Sequence, residues 1–210
     1  MARPGVKDPF REKAKQEGYS ARSVYKLQEI QERYRFIRSG DRVADLGCHP
    51  GSWLQFCSRT VGPRGKVLGI DLKAPRIPGA VNVVFLQADI RTLSEEQIPA
   101  WARQMDVVLS DLAPNTSGIK WLDHQRSLEL AQKALETARR ILKPGGRFLV
   151  KIFQGEDLER FRRDLETRFQ RVALEKPRSS RSESPEVYLL GQGFTKKDGS
   201  SIPDERQQGA

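Results

Sequence analysis

From Arg42 onward the chain alternates short β-rich runs with stretches of helical periodicity, and no other feature of the sequence restricts the fold as much. The runs RVADL, KVLGID, NVVFLQ, DVVLSD and RFLVKIF come in that order. Helices are predicted from about Ser52, near Ser94 to Gln104, from about His124 to Leu142 and near Glu156 to Phe169. A strand, a helix and a second strand close as a right-handed crossover, so repetition builds a parallel sheet with helices on both faces. The last two runs, RVALEK and EVYLLG, are joined only by PRSSRSESP. That linker is too short and polar for a crossover, which predicts an antiparallel hairpin at the sheet edge.

Seven strands with an antiparallel last strand form the pattern of the Rossmann-like α/β fold of class I methyltransferases that use S-adenosylmethionine. The chain length of 210 residues, with 37% hydrophobic content, suits one such domain with tails. The main domain is expected over 39–194. Ahead of it, Val24, Leu27, Ile30, Tyr34 and Ile37 share one face of a helix predicted over Ser20 to Ile37, with Lys26 at the edge of that stripe. Residues 1–38 read as a basic extension plus this helix. Residues 195–210 are polar and carry Gly and Pro, and no packed element is expected there.

Charge narrows the choice of partner. The formal net charge is +10, from 37 Lys+Arg against 27 Asp+Glu. Residues 1–38 hold ten of the basic and five of the acidic residues, so half of the excess sits in that segment. Phe10, Tyr19 and Tyr25 interleave with its Arg and Lys residues, a pattern suited to gripping phosphates and stacking a base. The competing reading is a solvated, solubilising surface. Two cysteines, no apolar run of membrane length and no apolar stretch behind the N-terminal basic residues lead us to expect a cytoplasmic protein without a membrane partner.

The turn DLGCHPGSW follows the first strand, where a doubly wound sheet brings backbone close to a ligand. Gly47 and Gly51 permit a sharp turn and close approach. The Lys of a phosphate loop is missing, as is the Gly-x-Gly-x-x-Gly dinucleotide fingerprint. Asp45 suits a ligand bearing an ammonium group. Asp71 and Asp89, at the ends of the next two strands, are placed to accept from ribose hydroxyls and an adenine amino group. Together these acids read as an adenosylmethionine pocket, although any one of them alone would serve equally as a turn cap. Cys48 and His49 lack paired ligand spacing, and no metal is expected.

Two further features suggest where chemistry would sit. SDLAPN ends the fourth strand with Asp111, and it is not the Asn/Asp-Pro-Pro-aromatic motif of enzymes that methylate exocyclic amines. Lys151 lies inside the apolar fifth strand, FLVKIF, where a central parallel strand seldom places a charge. A lysine snorkelling from the strand end is the alternative.

On ARSVYKLQEI, DLGCHPGSW, SDLAPNTSG, PGGRFLVKIFQGE and PEVYLL, the sequence from about Asp8 to Gly191 resembles the FtsJ/RrmJ-type RNA 2′-O-ribose methyltransferases, in their bacterial large-subunit rRNA (RlmE) branch. The resemblance implies a catalytic Lys-Asp-Lys-Glu set at Lys26, Asp111, Lys151 and Glu186, and cofactor contacts at Gly51, Trp53, Asp71, Asp89 and Asp111. It also implies a uridine of the 23S rRNA A loop as substrate, within the assembled large subunit; the enzyme is expected to be a monomer. Cys48-His49 and Ser52 depart from the small residues usual in the family. In this reading Lys151 takes the ribose proton. Moving a lysine from ~10.4 to ~7.5 needs about 4 kcal/mol from desolvation and a neighbouring cation, for which Lys26 is the candidate. Asp111 would oppose that change, and Glu186 would position Lys26 or the ribose. Methylation of another RNA such as a tRNA anticodon loop, a nicotinamide-dependent dehydrogenase, or a non-catalytic ribosome-assembly factor remain as alternative readings.

Overall fold

The computed structural model describes residues 8–77, 80–181 and 183–196. A seven-stranded sheet runs through the molecule in the order β3-β2-β1-β4-β5-β7-β6, built from β1 (Arg42–Leu46), β2 (Lys66–Asp71), β3 (Val83–Gln87), β4 (Met105–Ser110), β5 (Leu142–Phe153), β6 (Phe169–Glu175) and β7 (Glu186–Phe194). The first five strands pair in parallel, and β7 pairs antiparallel with both β5 and β6. The closing hairpin is therefore present, with β7 inserted beside β5 and β6 at the edge.

Helices α2 (Val24–Tyr34) and α3 (Ser52–Val61) cover one face of the sheet, where Leu27, Ile30, Leu54 and Cys57 pack on Val43, Val107, Leu109 and Leu149. On the other face lie α4 (Lys120–Ile141) and α5 (Leu158–Glu166), burying Ala134, Leu135, Ala138, Phe161 and Leu165 against Ala44, Leu68, Val108 and Phe148. Strands buried on both faces explain the near-continuous apolar runs of β1, β2 and β4.

Several local expectations are corrected. No α-helix forms over Ser94 to Gln104; Pro99, lacking an N–H, interrupts it, and only a 3-10 turn at Ala100–Ala102 remains. Leu93, Ile98 and Ala102 are still buried there. The segment Lys143-Pro-Gly-Gly does not precede β5 but is looped out of its ladder, since Met105 pairs with Leu142 and Val107 with Arg147. Helix α2 is shorter than predicted because Arg35 turns left-handed (φ 46°), which sends Phe36 and Ile37 into the core outside the helix.

The structure adds α1 (Pro9–Gln16), within the basic extension that precedes the predicted helix. Asp8 caps it by accepting from the Phe10 and Arg11 N–H groups, and Pro9 occupies its first turn. At the other end, Thr195 donates through its N–H and hydroxyl to the Arg168 carbonyl. The rest of the expected tail, 197–210, lies outside the described residues. Among the described residues, no helix is long and apolar enough to cross a membrane.

Candidate active site

The carboxyl ends of β1, β4 and β5 and the start of β7 meet at one edge of the sheet. Lys151, third from the end of β5, is only 4% exposed, and in register it faces Tyr188 while Phe153 faces Glu186. A pleated pair places Lys151, Tyr188 and Glu186 on the same face. The Lys151 ammonium donates to the Asp111 carbonyl at 2.7 Å and lies 3.0 Å from Asp111 Oδ1 and 3.6 Å from Glu186 Oε1. Lys26, in the first turn of α2, reaches Glu186 Oε2 at 2.5 Å. All four side chains singled out from sequence thus converge, and Glu186 bridges the two lysines.

The carboxylate of Glu186 is held ionised by this arrangement. Burial works to raise its pKa, but the charges of Lys151 and Lys26, with hydrogen bonds from Lys26 and Ser184, bring it below the usual range. Sequence reasoning missed Tyr188, whose hydroxyl donates to Asp111 Oδ1 at 2.9 Å. Full burial, followed by the nearby charges of Asp111 and Glu186, pushes that phenol well above its ordinary value, so it serves as a fixed donor. Its only sequence signal is an aromatic residue two places after Glu186.

The neighbouring turn supplies the groups that could hold a cofactor. Asp45 is fully buried and neither of its carboxylate oxygens has a hydrogen-bond partner. Burial first, then the charges of Asp111 and Asp71, drives its pKa well upward. A buried acid without an internal donor fits a ligand carrying an ammonium group. Gly47 (φ 80°) and Gly51 (φ 115°) make the turn, and a Cβ on Gly51 would come within 2.9 Å of Ile77 Cγ2. Asp71 accepts from the His49 and Lys73 N–H groups, both at 2.9 Å. Asp89 sits beside Arg91, whose guanidinium hydrogen bonds hold its carboxyl below the usual range.

Trp53 follows Gly51 by two residues, in the first turn of α3. It is 2% exposed, and its indole N–H donates to the Ser23 carbonyl at 2.9 Å, which ties α3 to the residue preceding α2. Cys48 is buried, which together with Asp45 and Asp71 pushes its thiol up and makes it a poor nucleophile. Among the described residues no group of three or more His, Cys, Asp or Glu is arranged to hold a metal ion.

Beside the Lys26–Glu186 pair opens a cleft of about 390 Å³, lined by Arg22, Ser23, Lys26, Arg181 and Glu186 among others. Arg22 pairs with Asp8 at the cap of α1, and its guanidinium lies 5.2 Å from the centre of the Phe10 ring. The N-terminal helix is thereby fastened to the rim of the site.

Residues 19–194 match the family described as FtsJ-like methyltransferase. The chain belongs to that family. Among FtsJ-like relatives, the ribosomal RNA large subunit methyltransferase E of Desulfatibacillum aliphaticivorans is 45% identical over 196 residues, covering 93% of this chain and 94% of the relative. The protein of the same name from Syntrophobacter fumaroxidans is 46% identical over 197 residues, covering 91% of this chain and 98% of that one. A crystal structure of a ribosomal RNA methyltransferase from Plasmodium falciparum superposes with a TM-score of 0.73 at 31% identity, covering 84% of this chain and 98% of that one. The FtsJ-like fold is shared with that structure, and the tetrad geometry described above belongs to a methyltransferase.

Proposed function

We propose that this methyltransferase uses S-adenosylmethionine to methylate the ribose 2′-hydroxyl of a uridine in 23S rRNA, on the large ribosomal subunit, with Lys151 as general base. The observation that carries the reading is the convergence of Lys26, Asp111, Lys151 and Glu186 beside a cleft lined by Arg22, Arg181 and Glu183. The names of the relatives support the choice of large-subunit RNA, and the 2′-oxygen and the uridine follow from the family resemblance.

When bound, S-adenosylmethionine supplies an activated sulfonium methyl group. Asp45, Asp71 and Asp89 are the residues that would hold its ammonium, ribose and adenine portions, with Gly47 and Gly51 giving the backbone room to approach. The protein's remaining task is to place the ribose oxygen and take its proton. Lys151 Nζ is the acceptor of that proton. It does so as the neutral amine, having first released a proton of its own. Asp111, fixed by Tyr188, keeps the Lys151 amine aimed at the mouth of the crevice. Arg22, Lys26 and Arg181 line the cleft through which the RNA backbone would enter, and their contacts would position the strand without reading its sequence.

The test is to incubate isolated large subunits with the protein and labelled S-adenosylmethionine and map the methylated riboses. One 2′-O-methyluridine in 23S rRNA is expected. Label found only in tRNA would replace the substrate, and binding to the subunit without transfer would favour an assembly factor.

A further inference from the structure

A second cleft, of about 350 Å³, opens where α4, α5 and β7 end, lined by Arg139, Arg140, Arg168 and Lys196 together with Glu136 and Thr195. Because β7 runs against the parallel strands, its end lies at the opposite edge of the sheet from Glu186 at its start. The nine residues of β7 separate the two places by roughly 26 Å at strand spacing. Nothing in the methyl-transfer site uses these residues.

Four cations surround this cleft against one lining carboxylate, and Glu136 is already engaged by Lys133 at 2.8 Å. Arg139 and Lys196 form no ion pair and no side-chain hydrogen bond among the described residues. Arg168 is held by Asp164 Oδ1 at 3.0 Å, and Arg140 donates to the Leu93 carbonyl at 3.4 Å. Scattered surface cations are ordinarily solvated and need no explanation. These are gathered in a concavity and repel one another, with the Arg139 and Lys196 donors unengaged, which is the donor set of a phosphate site.

We infer that this cleft is a second RNA-backbone site, gripping phosphates of an rRNA segment remote from the nucleotide being methylated. The reach of roughly 26 Å spans several nucleotides, so a folded RNA particle can fill both sites while a short target oligonucleotide fills only the first. The polymer's identity rests on the function proposed above; the phosphate chemistry does not.

The test compares wild type with an Arg139→Gln/Lys196→Gln variant, chosen because neither side chain holds the fold together. Binding to large subunits is measured across a salt series, with KM and kcat for methylation and a thermal melt for each protein. Losing two phosphate contacts should lower the slope of log K against log salt by about 2 and weaken binding roughly 10- to 30-fold near 0.15 M salt. KM should rise accordingly, with kcat, melting temperature and affinity for a short target oligonucleotide unchanged. An unchanged slope and KM would overturn the inference, as would a fall in kcat alone or an equal loss on the oligonucleotide. A loss on particles that is absent on protein-free 23S rRNA would assign the cleft to an acidic ribosomal protein and overturn it too. If wild type binds large subunits but methylates nothing in them, the functional reading fails while the salt series still decides the cleft.

Discussion

Strand β5 carries two buried cations on one face, Arg147 and Lys151, and each lies between two carboxylates. Arg147 meets Asp41 Oδ2 at 3.1 Å and Asp106 Oδ1 at 3.9 Å. Lys151 meets Asp111 and Glu186 at similar range. The surroundings differ. Asp41 also accepts the Arg38 N–H and Asp106 the Arg42 N–H, both at 2.8 Å, so the backbone fixes both acids. Asp111 and Glu186 are held by other titratable side chains, Tyr188 and Lys26. A guanidinium stays protonated under all ordinary conditions, whereas an amine can surrender a proton. One strand thus bears the same charge pattern twice, as a clamp at one end and as a site suited to proton transfer at the other.

Replacing the amine tests this contrast most severely. Lys151→Ala should lower methyl transfer by 10²- to 10⁴-fold, the usual worth of a positioned base, with binding of S-adenosylmethionine little changed. Lys151→Arg sharpens the comparison, since it keeps the cation and forbids the proton step; it should be nearly as inactive. Single-turnover transfer on large subunits is the measurement, and a vigorous arginine variant would reduce Lys151 to a mere charge.

The clamp makes the reciprocal prediction. Arg147→Met leaves the buried Asp41 without this cation and Asp106 with Lys143 alone, and should cost about 3 kcal/mol of stability, on the order of 10 °C in Tm, with kcat unaffected below the melt. Although burial alone would raise Asp106, the Arg42 N–H with Lys143 and Arg147 holds it below the usual carboxylate range. Its contribution is therefore full above the unfolded value near ~4 and is lost as pH falls through the lower folded value. The gap between the two proteins, followed by denaturant titration, should be wide at neutral pH and narrow only in acid. A gap that persisted unchanged in strong acid would mean that packing, not charge, is what Arg147 supplies.

The two ends of β5 were unequally legible. Lys151 stands out in FLVKIF because a charge interrupts an apolar run, and the family motifs place three more residues beside it. Arg147 opens the same run and reads as an ordinary strand-start cation; its partner Asp41 lies 106 residues away, and no local pattern announces the pairing. The parallel sheet with helices on both faces followed from β-then-α alternation, which is a chain-wide signal. The absent helix over Ser94 to Gln104 and the unexpected α1 both turned on a proline, Pro99 breaking one pattern and Pro9 after Asp8 starting the other. Tyr188 looked like one more apolar strand residue, since where a buried hydroxyl finds its acceptor is decided by tertiary packing.

Asp45 completes the comparison as the carboxylate with neither kind of support, having no backbone donor and no cation. Its pKa is raised, above all by burial, so its cost is absent below the unfolded value near ~3.9 and grows as pH rises towards the folded value. Asp45→Asn removes the charge and keeps the shape. The ligand-free variant should melt about 2–4 °C above wild type at pH 7 to 8, corresponding to roughly 1 kcal/mol, with the gain shrinking towards pH 4. The same variant should gain less in Tm than wild type from added S-adenosylmethionine, because a neutral amide offers an ammonium group a weaker partner. Higher intrinsic stability with a smaller ligand response is the signature of a carboxylate kept for its ligand. A variant less stable at neutral pH, with an undiminished ligand response, would show instead that Asp45 is a structural acid whose partner the fold itself supplies.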